Sequence, residues 1–224
     1  MITAVGVVVP ARNEASTIAA CLRSIRTALR ALPPDVESAL CVVADRCTDD
    51  TEAVARAEVT GLPGRVVRNT KPATIGEVRD LGLGRLDLTG PRLSDVWLLS
   101  TDADTTVARD WAVRHLELAR RGAHAVAGIA LLADHSILPV TRRPDGHGRV
   151  FAANPGVRAD AYHAVGGFGA VATGEDHDLW QRLRQAGYRC EYARGPRVVT
   201  SARRQGRAPG GLADFLSRLD LRGT

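Results

Sequence analysis

Short apolar runs alternate with helical patterns along the first half of the chain, and this alternation constrains the fold most strongly. Residues 5–9 form a β-branched apolar run, and Ile18, Leu22, Ile25 and Leu29 then recur at helical spacing. Continuous apolar runs are typical of parallel strands that are covered on both faces. The pattern therefore predicts an α/β fold with a mostly parallel central sheet flanked by helices.

The same alternation continues as far as residue 131. Strands are predicted at residues 40–44, 65–68, 96–100 and 124–131, and helices after residue 51, over about residues 74–86 and over residues 111–120. The segment 134–148 is rich in Pro, Arg, Asp and Gly, which is typical of a loop. Because we find no internal repeat and no linker, we expect the 224 residues to form a single domain.

The composition argues against a nucleic-acid partner. The formal net charge is +5, but Lys71 is the one lysine, and the arginines are dispersed except for Arg203, Arg204 and Arg207. Aromatic residues make up 4% of the chain, which leaves few side chains for stacking on bases. We therefore expect no nucleic acid among the partners.

The cysteines and the apolar segments predict a cytoplasmic protein. The four cysteines have no metal-ligand spacing, so we expect reduced thiols. The first residues lack a basic segment before the apolar run and therefore predict a first strand rather than a signal peptide. The longest apolar stretch, residues 123–133, is too short to span a bilayer, although binding at a membrane surface stays open.

Acidic and polar residues follow three of the predicted strands. Asn13 and Glu14 follow the first, Asp45 ends the second, and Asp102 and Asp104 follow the strand that ends at residue 100. Ligands of parallel sheets bind beyond these carboxyl ends. Two carboxylates one residue apart repel each other unless a positive charge is near, and Mg²⁺ with substrate phosphates would supply it. A turn before a helix N-cap is the simpler alternative.

Six segments, in this order, resemble the motifs of family 2 glycosyltransferases of the GT-A fold. They are residues 7–14, 43–51, 76–82, 101–104 (the DXD motif), 154–168 and 174–179. Together they extend over roughly residues 4–205. The resemblance implies transfer of a sugar from a nucleoside diphosphate sugar, a UDP- or GDP-sugar, to the hydroxyl group of a small-molecule or lipid-linked acceptor.

The resemblance also implies roles for individual residues. Asp104 and Asp102 would bind Mn²⁺ or Mg²⁺. The nucleotide sugar would contact Pro10, Ala11, Asn13, Glu14, Asp45, Arg79, Asp102, Ala103 and Arg203. Arg79 suits either a phosphate or a bidentate grip on a loop carboxylate. The second loop carries Asp45-Arg46-Cys47 where the family usually has a pair of acids and Gly-Ser, which leaves the nucleotide open.

Asp176 is the predicted general base of an inverting reaction, and Glu175 would hold the acceptor or tune Asp176. The same acids also suit the first turn of a helix. A retaining transferase, in which the two acids hold the acceptor, and a non-catalytic nucleotide-sugar binding protein are the alternatives. A nucleotidyltransferase is disfavoured because residues 10–14 lack its Gly-rich loop.

The resemblance also divides the single domain by role. Residues 1–105 would form the nucleotide-binding half, residues 106–200 the acceptor-side half, and residues 201–224 a basic C-terminal segment. No histidine follows His177. The arginine-rich segment after residue 200 would then either supplement the charge of the metal over the diphosphate or form a solvated basic tail. The middle loop, residues 134–149, is short, which would leave an open site or one completed by the partner subunit of a homodimer.

Overall fold

The predicted alternation of strands and helices is present in the computed structural model, which describes residues 1–133 and 153–203. The strands are β1 (Ala4–Ala11), β2 (Glu37–Asp45), β3 (Gly64–Asn69), β4 (Val96–Ser100), β5 (Thr105–Val107), β6 (Ala125–Leu132), β7 (Pro155–Arg158) and β8 (Cys190–Thr200). The helices are α1 (Ile18–Leu29), α2 (Thr51–Val59), α3 (Ile75–Leu83), α4 (Trp111–Arg120), α5 (Ala159–Ala164) and α6 (Glu175–Gln185), and a 3-10 turn covers Leu93–Asp95.

All eight strands belong to one sheet in the order β3-β2-β1-β4-β7-β6-β8-β5. The first four of these run parallel, β7 is antiparallel to both of its neighbours, and β6 and β8 are again parallel to each other. β5 pairs antiparallel with the end of β8. A single domain built on a mostly parallel sheet is therefore confirmed.

Helices cover both faces of the sheet with their apolar sides. Val7 and Val9 of β1 pack in one cluster with side chains of α1, α2 and α4, whereas Val8 packs in another with α3. α5 and α6 cover the same face of the sheet as α3. They pack against β4, β6 and β7 through residues such as Leu183. All eight residues of β1 are buried, as expected for a central strand. None of the described helices is long and apolar enough to cross a membrane.

Asn154 joins helix α4 to the strands that it covers, from inside the core. Its Oδ1 accepts hydrogen bonds from Trp111 Nε1 at 2.8 Å and from His115 Nε2 at 3.0 Å. Its Nδ2 donates to the carbonyl oxygens of Ile129 and Pro196 at 2.9 and 3.1 Å. Because every polar atom of the Asn154 side chain is paired, this residue of the predicted acceptor segment ties α4 to β6 and β8.

The parallel register brings the carboxyl ends of four strands to one edge. Ala11 of β1 lies opposite Ala44 of β2, Asp45 lies opposite Asn69 of β3, and β4 ends beside Val8. The loops that leave this edge carry most of the residues predicted to bind the nucleotide sugar. The register of the sheet therefore places these loops side by side.

Candidate active site

The loop between β4 and β5 presents Asp102 and Asp104, the carboxylates on either side of Ala103 in the sequence. Ala103 is 2% exposed and packs in the core cluster that includes side chains of α1. A hydrogen bond from Thr105 N to the Asp102 carbonyl oxygen, 3.1 Å long, closes the turn. Ala103 was predicted to contact the nucleotide, but its side chain is part of the packing beneath the loop.

Arg203 bridges two of the predicted acidic residues. Its Nη2 lies 2.7 Å from Glu14 Oε1 and 3.2 Å from Asp104 Oδ2, and its Nη1 lies 3.0 Å from Glu14 Oε2. Glu14 also accepts a hydrogen bond from Thr17 Oγ1 at 3.0 Å. Residues almost 190 positions apart therefore meet at the carboxyl edge of the sheet.

The site still carries excess negative charge. Burial raises the pKa of Asp104 to about 6, the nearby charges of Asp102 and Glu14 add to that rise, and Arg203 opposes it. The negative charge of such a carboxyl is destabilised, and a cation that binds beside it stabilises that charge. The electrostatics of the loop therefore suit a metal ion.

The donor set of this loop is small. The described residues contain no group of three or more His, Cys, Asp or Glu side chains arranged to hold a metal ion. Asp102 and Asp104 offer two carboxylates, and Mg²⁺ commonly takes one or two carboxylates with substrate phosphates and water as its other ligands. The two residues therefore fit a cation that binds together with a diphosphate.

Arg79 lies between this loop and the start of α6. Its side chain is buried, its Nη2 donates to Asp102 Oδ1 at 2.6 Å, and its Nη1 donates to Ser100 Oγ. Its Nε lies 3.5 Å from Glu175 Oε1 and forms no hydrogen bond. Of the two roles predicted for Arg79, the structure shows the grip on a loop carboxylate, through one N–H group instead of two.

The predicted catalytic acids occupy the first turn of α6. Gly174 precedes the helix with a φ of 79°, a left-handed conformation that favours glycine. Glu175 is buried against Arg79, and burial is the main cause that raises the pKa of its carboxyl. Asp176 is partly exposed, and its Oδ1 accepts a hydrogen bond from His177 N at 2.7 Å. The two neighbouring acids therefore face different surroundings.

The turn before α6 is held by charged side chains on both sides. Gly166 and Gly167 have φ values of 80° and 68°, left-handed conformations with which the chain turns after α5. The carboxylate of Asp80 accepts hydrogen bonds from the Tyr162 hydroxyl and from Phe168 N, the latter 3.1 Å long. Arg182 donates to the Gly167 carbonyl oxygen at 2.7 Å. The side chain of Trp180 in α6 is buried.

A second polar group lies where β1, β2 and β3 end. Asn13 has a φ of 54° and accepts a hydrogen bond from Thr48 N at 2.8 Å, so it joins the loops that follow β1 and β2. Asp45 is buried and accepts a hydrogen bond from Asn69 Nδ2 at 2.8 Å. We did not predict Asn69, although its place at the end of the strand beside β2 was the available signal. Pro10 and Ala11 are buried at the end of β1.

The structure thus groups the predicted residues at one edge. Glu14, Asp102, Asp104 and Arg203 form one cluster, and Arg79 joins Asp102 to Glu175. The structure does not describe Arg204, Arg207 or the loop 134–149, so their predicted roles lie outside the described residues.

Known proteins resemble this chain in sequence, through a family model, and in fold. The model of the family described as glycosyl transferase family 2 matches residues 6–168. A crystal structure of residues 1–349 of S. aureus TarS in complex with UDP-GlcNAc aligns with a TM-score of 0.73 and 14% identity, over 98% of this chain and 65% of that one. No curated protein sequence matches significantly.

A second solved structure is the mannosyltransferase PcManGT from Pyrobaculum calidifontis in complex with GDP-Man and Mn²⁺. It aligns with a TM-score of 0.69 and 19% identity, over 95% of this chain and 68% of that one. Alignment with the whole S. aureus TarS structure covers 37% of that protein. This chain therefore spans about two thirds of the TarS fragment and of PcManGT, and their shared architecture establishes the fold.

Proposed function

Because this chain belongs to glycosyl transferase family 2, we propose that it transfers a sugar from a nucleoside diphosphate donor to an acceptor hydroxyl group. The observation that carries the proposal is the cluster of Glu14, Asp102, Asp104 and Arg203 at the carboxyl edge of the sheet. The structural neighbours TarS and PcManGT are bound to UDP-GlcNAc and to GDP-Man with Mn²⁺, which supports a donor of this class.

We assign the diphosphate to the cluster around Asp104. Asp104 and Asp102 would hold Mn²⁺ or Mg²⁺, which when bound would neutralise charge on the leaving diphosphate. Arg203 would then add donor N–H groups to the diphosphate oxygens, because a guanidinium suits phosphate geometry. Glu14 would accept hydrogen bonds from the ribose hydroxyls.

We assign the acceptor to the side of α6. The acceptor oxygen would attack the anomeric carbon, the bond from that carbon to the diphosphate oxygen would break, and the acceptor proton would pass to Asp176. Attack from the face opposite the leaving group inverts the anomeric configuration. Glu175, held near Arg79, would fix the first turn of α6 and so position Asp176.

A calorimetric titration tests this function. UDP and GDP are titrated, with and without Mn²⁺, into the wild type and into Asp104→Asn. We expect one of the two to bind only with the metal and the variant to lose at least about tenfold in affinity. Asp110→Asn is the matched control, because Asp110 is exposed and pairs with Arg114. If neither UDP nor GDP binds the folded wild type, with or without Mn²⁺, and dTDP and CDP do not bind either, the proposal is overturned.

A further inference from the structure

We propose that Arg203 competes with the metal ion for Asp104, so that the cation binds tightly only when a nucleoside diphosphate arrives with it. The inference rests on the proposed function and adds how binding at that site is regulated. Its basis is the set of contacts by which one guanidinium holds both Glu14 and Asp104. These are two of the carboxylates that we assign to the ribose and to the metal.

The guanidinium of Arg203 spans the space between the two carboxylates. Its Nη1 and Nη2 contact both oxygens of Glu14, at 3.0 and 2.7 Å, and Nη2 also lies 3.2 Å from Asp104 Oδ2. The side chains of Glu14 and Asp104 are mostly buried, so water screens their charges weakly. A cation bound to either oxygen of Asp104 would therefore stand close to the positive guanidinium and be repelled by it.

Arg203 is the arginine of this cluster that can give way. Arg79, which holds Asp102, is fixed in the core with a side chain that is 2% exposed. The side chain of Arg203 is 33% exposed, and it pairs with carboxylates at the edge of the site. Its guanidinium can therefore turn towards solvent or towards a ligand without becoming a buried, unpaired charge.

The sheet places Arg203 beside Asp104. Thr105, the residue after Asp104, lies opposite Thr200 in the pairing of β5 with β8, and its Oγ1 donates to Thr200 Oγ1 at 3.0 Å. Both threonines are buried. β8 ends at Thr200, and Arg203 follows three residues later, next to the loop that carries Asp104. The register of the two strands therefore brings this arginine to this carboxylate.

A diphosphate makes the exchange of partners favourable. Its oxygens suit the geometry of a guanidinium as carboxylate oxygens do, so Arg203 can leave Asp104 for the diphosphate and keep a charged partner. Asp104 then becomes available to a cation that also contacts the diphosphate. The metal and the nucleotide therefore favour each other's binding, and this coupling is reciprocal. A cation that arrives alone has to break the contacts of Arg203 and offers the guanidinium no new partner.

Titration of Mn²⁺ without nucleotide tests the competition. The electron paramagnetic resonance signal of free Mn²⁺ reports the bound fraction for the wild type and for Arg203→Gln. We expect the variant to bind Mn²⁺ at least about tenfold more tightly, because the competing positive charge is gone. Arg114→Gln is the matched control, because Arg114 also bridges two carboxylates, those of Asp110 and Glu117, on the surface of α4. We expect its Mn²⁺ affinity to equal that of the wild type.

A second titration measures the coupling between metal and nucleotide. It repeats the first at a saturating concentration of the nucleotide that binds the wild type most tightly among UDP, GDP, dTDP and CDP. We expect the nucleotide to tighten Mn²⁺ binding by a factor that is at least about threefold larger in the wild type than in Arg203→Gln. Chelation of Mn²⁺ by free nucleotide is the same for both proteins and cancels in this comparison. A merely structural role of Arg203 predicts weaker Mn²⁺ binding by the variant in both titrations.

The outcomes separate the two claims. Unchanged or weaker Mn²⁺ binding by folded Arg203→Gln, an equal gain in Arg114→Gln, or an undiminished effect of the nucleotide would overturn the competition and leave the proposed function standing. If Arg203→Gln does not fold, Arg203→Lys replaces it with an expected gain of about threefold, because lysine lacks the fixed fork of N–H groups that holds Glu14. If none of the four nucleotides binds the wild type, the proposed function fails and this inference fails with it.

Discussion

At the scale of single residues, the charge around Asp104 is the property that most directly links structure to chemistry. Asp104 and Glu14 share one guanidinium, that of Arg203, and Asp102 pairs with another, that of Arg79. With Glu175 beside Arg79, four carboxylates face two arginines, and the pKa of Asp104 stays raised, at about 6. A cation that arrives with a diphosphate would complete this charge balance.

The residue with the sharpest catalytic prediction is Asp176. Replacing Asp176 by Asn should lower kcat about 10²–10⁴-fold with little change in donor KM, because the variant keeps the shape of the side chain but cannot take a proton. Steady-state kinetics with a donor and an acceptor that the wild type converts measure kcat and the donor KM. Asp178→Asn is the control in the same turn. Because Asp178 pairs with Arg182, its loss should affect stability more than kcat. Equal losses of kcat in both variants would contradict the role of Asp176.

Buried His115 should make the protein sensitive to acid. Burial lowers its pKa from 6.5 to about 4, so the folded state binds the proton less readily than the unfolded chain. Its contribution is present above pH 6.5 and is lost as the pH falls from 6.5 to 4, by on the order of 3 kcal/mol. Denaturant unfolding between pH 7 and 4 should show a shallower decline in His115→Gln. Identical declines would contradict this account.

At the scale of elements, apolar periodicity was enough to predict the parallel half of the sheet. The runs at residues 5–9, 40–44 and 96–100 lie inside β1, β2 and β4. The short strands β5 and β7 could not be predicted in this way, because three or four residues carry no clear period and their partners are distant in sequence. In the site, the role of Asn69 depends on the register between β2 and β3, which no local pattern specifies.

The close approach of α3 to α6 depends on a glycine. A Cβ added at Gly76 would lie 2.6 Å from the Gly169 carbonyl oxygen and 3.4 Å from Glu175 Cβ. We expect Gly76→Ala to reduce the free energy of unfolding by about 1–3 kcal/mol, because backbone must move to admit the methyl group. Gly84→Ala, at the end of the same helix with its nearest contact at 3.4 Å, is the control for denaturant unfolding. A smaller loss in Gly76→Ala than in Gly84→Ala would contradict the packing account.

Arg79 is the electrostatic connection between the β4–β5 loop and α6. Arg79→Met should lower stability by about 3–5 kcal/mol, because the buried carboxylate of Glu175 and the carboxylate of Asp102 lose their partner. Adding Glu175→Gln to that variant should recover part of the loss. A double-mutant cycle in urea measures the coupling, expected at about 0.5–3 kcal/mol. Strict additivity of the two changes would show that Arg79 and Glu175 act independently.

At the scale of the whole molecule, one continuous sheet carries both sets of predicted residues. The parallel strands β1 to β4 place the nucleotide-sugar residues at one edge, and β8 returns along the sheet to bring Arg203 to the same edge. The chain belongs to glycosyl transferase family 2, and its fold is shared with TarS and with PcManGT. The acceptor, the homodimer and the cytoplasmic location stay predictions.

The central claim is that Asp104 and Asp102 hold a metal ion together with the donor diphosphate. Crystals grown with Mn²⁺ and the nucleoside diphosphate that binds most tightly would test it through the anomalous signal of manganese. We predict a peak in coordination contact with an Asp104 oxygen and with the diphosphate, with Arg203 on the diphosphate side. A bound nucleotide with no manganese at Asp104, and with Arg203 still paired to it, would contradict the claim.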